Sequence, residues 1–181
     1  MMRVRIGTAL LLFAMAAAPN ANAEEISRDA TREKLRATLT AAGKRDDVNV
    51  TFTQSEKEPY NFIAVMEDFP NSDSLEIVIR VTPNDTLAFR VYPHFKGKYI
   101  NLDSAKDAKG LMRTMLLFSD HNFLFWGVDD SKDAFAGYTI TLDSGFPEEA
   151  VETVLRSIRN TDQFVGKMRP FLDGSAAPAS N

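Results

Sequence analysis

His94 and His121 are the only histidines in the 181 residues, and there is no cysteine. Thiol catalysis and thiolate metal sites are therefore excluded. Zinc takes about four ligands from His, Cys and carboxylate groups, and neither histidine has a second His or a carboxylate at helical ligand spacing. His121 follows Ser119 and Asp120, but a catalytic triad is a spatial arrangement and sequence neighbours do not make one. It reads better as a residue leaving a helix C-terminus, where positive charge is favoured. No nucleophile elbow, phosphate loop or dinucleotide fingerprint occurs.

Asp129, Ser131 and Asp133 have the alternate spacing of the first ligands of a calcium loop. The sixth position, where the sharp turn wants Gly, is Ala134, and the twelfth, where a bidentate Glu is needed, is Ile140. The segment therefore reads as a polar hairpin turn. Glu148, Glu149 and Glu152 open a helix, where dipole and solvation account for acidic residues. These residues support no catalytic site, no metal and no cofactor.

The elements follow from periodicity. Leu35, Leu39 and Ala42 predict a helix over about Asp29 to Ala42, ended by Gly43. Val48, Val50 and Phe52 alternate with polar residues and predict a first strand. Tyr60 to Met66, Leu75 to Val81, and the alternation of Leu87, Phe89 and Val91 predict three more. A helix is expected from Ser104, with Ser104 and Asp107 as a capping box. Its apolar stripe is wide: Ala108, Leu111, Met112, Met115, Leu116 and Phe118. The unbroken apolar run Phe123 to Val128 predicts a strand buried on both faces, and Tyr138, Ile140 and Leu142 predict its partner. Pro147 opens a last helix, with a kink or restart at Asn160-Thr161-Asp162. The order α-β-β-β-β-α-β-β-α favours an α+β fold with a largely antiparallel sheet.

Five aromatics crowd one hairpin: Phe123, Phe125, Trp126, Phe135 and Tyr138. The hairpin from Phe123 to Leu142 is expected at the centre of the fold. Core packing accounts for most of its rings. A sheet whose helices cover only one apolar face would leave the rest to meet a partner, with Phe125 and Trp126 on opposite sides.

The chain starts as a secretory signal peptide. Arg3 and Arg5 lead an apolar run from Ile6 to Ala18, and Ala21-Asn22-Ala23 supplies the small-x-small pattern for cleavage after Ala23. The run is too short to span a bilayer, which needs roughly 20 residues, so no membrane anchor is expected after cleavage, and the expected location is the periplasm. Cleavage removes two arginines and no acid, making the formal charge of −4 two units more negative. This balance argues against a nucleic-acid binder, which usually carries a basic patch. One domain is expected over 24–173, with a disordered tail at 174–181.

The segments "LMRTMLLF", "FLFWGVDDSKDAFAGYTITLDSGF", "PEEAVETVLRSI" and "DQFVGKMRPFL", between Leu111 and Leu172, resemble the YbjN-type family of bacterial sensory transduction regulators, related in fold to type III secretion chaperones. The resemblance implies a non-catalytic chaperone-like or regulatory module that binds a protein partner, with a homodimer among the candidates. It brings no catalytic residue. Two alternatives remain at this point. One is a carrier of a small apolar ligand in a cavity lined by Phe125, Tyr138 and Leu155. The other is a hydrolase with an unrecognised site.

Overall fold

The computed structural model describes residues 21–175. Residues 1–20 of the expected leader (1–23) and residues 176–181 of the expected tail (174–181) lie outside them. The chain is α+β, with an open antiparallel sheet and helices packed on one face. Helix α1 (Ala21–Ala42) leads into strands β1 (Thr53–Gln54), β2 (Asn61–Glu67), β3 (Ser74–Val81), β4 (Thr86–Phe95) and β5 (Lys98–Tyr99). Then come α2 (Ala108–His121), β6 (Phe125–Val128), β7 (Ala134–Thr141), α3 (Glu148–Ser157), a 3₁₀ turn at Ile158–Asn160 and α4 (Thr161–Leu172). The strands pair in the order β1-β2-β3-β4-β7-β6, with β5 folded back on β4. Every pairing is antiparallel.

Alternation in β3 and β4 sets the core. Leu75, Ile77, Ile79 and Val81 lie opposite Pro93, Val91, Phe89 and Leu87, and these apolar side chains are buried. Leu35 and Leu39 of α1, Leu111 and Met115 of α2, Val151 and Leu155 of α3, and Val165 and Met168 of α4 close over that face. The expected break between the last two helices is the 3₁₀ turn.

Several expectations are corrected. Helix α1 is already under way at Ala21, the first described residue, ahead of Asp29. Val48 to Phe52 is no strand, although Val48 is buried and Val50 and Phe52 pack on the core. Asn49 adopts a left-handed φ of 45°, and the Val50 N–H donates back to the Gly43 carbonyl, so the backbone turns where alternation suggests extension. A Cβ on Gly43 would run into the Val50 carbonyl, which is why a glycine stands there. Helix α2 starts at Ala108, capped by Asp107 through its Oδ1 to the Gly110 N–H at 2.8 Å, not by Ser104. Strand β6 is not buried on both faces, and the hairpin is not the centre of the sheet: β6 is an edge strand and β3 and β4 are central. An unbroken apolar run cannot distinguish two covered faces from one covered face beside an exposed edge.

One polar anchor spans the fold. The Asp162 carboxylate, buried in the first turn of α4, accepts from the Asn71 N–H and Nδ2, the Ser72 N–H at 2.8 Å and Ser72 Oγ at 2.6 Å. Arg169 Nη2 donates to the carbonyls of Pro70 and Asn71. Both ends of α4 thus hold the loop before β3.

Candidate interaction surface

The two-residue period of β6 sends neighbouring rings to opposite faces. Trp126 is 5% exposed, under the helices, with its ring 6.0 Å from those of Phe118 and Phe164. Phe125 is 44% exposed on the helix-free face. Of the five hairpin aromatics, Phe123 and Phe125 are open to solvent, while Trp126 and Phe135 are buried and Tyr138 is half-buried. Tyr138 lies opposite the core residue Phe89 and takes the Phe123 ring edge-on at 5.5 Å. Leu155 is fully buried under the covered face. Phe125, Tyr138 and Leu155 therefore do not line one cavity.

Phe135 is buried without helix cover. It lies opposite Gly127, and Phe125 lies opposite Gly137, so each ring spreads over a glycine across the hairpin. The Arg90 guanidinium stacks on Phe135 at 4.5 Å, and Tyr92 packs beside it at 5.6 Å. Beyond Tyr92 come Tyr99 at 5.9 Å and then His94, 4.3 Å from Tyr99. An aromatic strip thus crosses the open face from β6 to β5.

Chemistry is sparse on this strip. The Tyr99 hydroxyl donates to Glu76 Oε2 at 2.8 Å. Burial, and then this hydrogen bond, push the Tyr99 phenol up to about 12. His94 Nε2 lies 3.9 Å from Glu76 Oε2, past hydrogen-bond length, and is buried without a partner. Ser74 stands opposite His94 in the ladder but makes no hydrogen bond to it, so the nucleophile–base contact of a triad is not formed. His121 ends α2, exposed, 3.3 Å from Asp120. Asp129 Oδ1 accepts from the N–H groups of Ser131 and Asp133, as a polar hairpin turn requires. Among the described residues, no group of three or more His, Asp or Glu is placed to hold a metal, and no helix is long and apolar enough to cross a membrane.

The apolar exposure is concentrated elsewhere. Eight large apolar side chains stand exposed among the described residues, and six of them fall between Met112 and Val128: Met112, Leu116, Leu117, Phe123, Phe125 and Val128. Helix α2 packs beside the β6 edge, and Ser119 Oγ accepts the outward Trp126 N–H at 2.8 Å. That bond blunts the edge for strand addition, so side chains of α2 and β6 are what the edge offers. Met112 and Leu116 belong to the wide stripe of α2. Its width was the signal in sequence, since it is broader than the face that Leu111, Met115 and Phe118 bury.

No family model and no curated protein matches the chain. Among solved structures, the chain is similar to the crystal structure of the ExsC-ExsE complex, with a TM-score of 0.46 and 13% identity, covering 80% of this chain and 98% of that one.

Proposed function

We propose that the protein is an exported, non-catalytic protein-interaction module of the bacterial cell envelope, of YbjN type, working as a homodimer built on α2 and β6. The observation that carries this reading is the gathering of six exposed apolar side chains on α2, β6 and the turn that joins them. Exposed apolar side chains gathered in this way are characteristic of interaction sites.

The charge layout favours a second copy as the occupant. Lys109, Met112, Arg113, Leu116 and Asp120 recur at helical spacing and are all exposed. The face runs from basic, through apolar, to acidic. An antiparallel copy of α2 sets Asp120 of one chain against Lys109 of the other, with Met112 and Leu116 between. This self-complementarity is what a two-fold interface requires. Export rests on the Arg-apolar-Ala-Asn-Ala order of the first residues. Co-purification of two differently tagged copies tests the reading: capture on one tag should bring down the copy that carries the other, and should not when both carry Leu116→Glu.

A further inference from the structure

The helix-free face also holds a cleft of about 320 Å³, lined by Asn61, Val78, Arg80, Ala88, Arg90 and Tyr92. Its floor, Val78 and Ala88, is apolar. Arg80 lies opposite Ala88 in the ladder, and Arg90 lies opposite Val78. The two arginines are therefore diagonal neighbours on one face, roughly 7–8 Å apart at the backbone, within reach of a shared group. Neither has a carboxylate partner: the Arg80 side chain makes no hydrogen bond, ion pair or ring contact, and the Arg90 side chain touches only the Tyr92 hydroxyl and the Phe135 ring. Asn61, directly opposite Arg80, has its Oδ1 buried with no donor.

These groups ask for a definite chemistry. Two guanidiniums take a carboxylate through paired N–H donors. A buried amide oxygen without a partner is costly until a donor reaches it. The apolar floor takes a small aliphatic body. A carboxylate, an N–H beside it and an aliphatic side chain together make the last residue of a peptide. The residues before it would run out over Tyr92 and Phe135. We propose that this cleft binds the carboxy-terminal residue of an extended peptide. The proposal does not depend on the α2–β6 surface.

The test titrates the full chain with a fluorescein-labelled pentapeptide ending in leucine, as the free acid and as the amide, followed by anisotropy. The acid should bind at least roughly tenfold more tightly than the amide, the scale of one charged hydrogen bond. Arg80→Gln should bring the acid down to the level of the amide with an unchanged melting temperature, since Arg80 makes no contact that the fold uses. Leu116→Glu should bind the acid as the wild type does, which separates this site from self-association. No binding of the free acid at millimolar concentration, equal binding of acid and amide, or an unchanged Arg80→Gln would overturn the proposal. So would competition by N-acetyl-leucine at the concentration of the peptide itself, which would make the cleft a small-molecule site.

Discussion

The Phe125 ring lies against Gly137, its cross-strand partner, so closely that a Cβ on the glycine would fall 2.5 Å from Phe125 Cζ. The glycine lets the ring lie down on the sheet instead of standing off it. Gly137→Ala should therefore lift Phe125 from the surface and loosen its edge contact with Phe135, now at 5.8 Å. The aromatic ring-current shifts of Phe125 and Phe135 in NMR spectra report this. Unchanged shifts in a folded Gly137→Ala protein would refute the close packing.

The neighbouring rings should separate stability from surface. Trp126→Ala removes a buried ring touching Phe118 and Phe164 and should cost roughly 3–5 kcal/mol, a large part of a domain's total of roughly 5–15 kcal/mol. Phe125→Ala removes a ring that is 44% exposed and should cost about 1 kcal/mol, near the centre for point substitutions. Urea midpoints check both. Equal losses would mean that the two faces are equally covered.

Asp162 should be the most sensitive polar position. Asp162→Ala strands the donors of Asn71 and Ser72 that its carboxylate now accepts, at about 3 kcal/mol. Hydrogen exchange at the Ser72 amide should rise with it. A variant as stable as the wild type would show that the loop before β3 needs no anchor.

Tyr99 gives a pH prediction. Its phenol, pushed up to about 12 in the folded chain, stays protonated where an unfolded tyrosine, near about 10, already ionises. Its stabilising contribution is thus complete below about pH 10 and is lost as pH rises towards about 12. Absorbance titration of the tyrosines should show a late component that Tyr99→Phe deletes. Burial is the leading cause, ahead of the bond to Glu76, so Glu76→Gln should bring the late component only part of the way down. Full return to the ordinary phenol range would make the hydrogen bond the main cause.

Export makes its own prediction. Intact mass of protein from the periplasmic fraction should match a chain starting at Glu24. A species keeping Met1 in that fraction would contradict cleavage after Ala23.

Much of the fold is legible in the sequence because its information is local. Alternation in Leu75 to Val81 and the break at Asn160 need no distant partner to be read. The misreadings have distant or backbone causes. Val48 to Phe52 alternates because its apolar residues point inward, yet the backbone of Asn49 turns left-handed. Asp162 looks like a helix-start acid because its partners lie 90 and 91 positions away. In the hairpin, the opposition of Phe125 and Trp126 follows from strand parity alone. That Phe135 is buried by Arg90 and Tyr92, and that the exposed apolar surface extends onto α2, follows only from how β7 and β6 join the sheet beside that helix.

Sedimentation velocity of the chain beginning at Glu24, beside its Leu116→Glu variant, tests self-association through α2 and β6 most directly. Leu116 is 65% exposed, so the new carboxylate should leave the fold intact, while a two-fold interface would take that charge out of water into an apolar contact. The account predicts a dimer for the wild type and a monomer with an unchanged melting temperature for Leu116→Glu. A monomeric wild type, or a variant that stays dimeric, would contradict it.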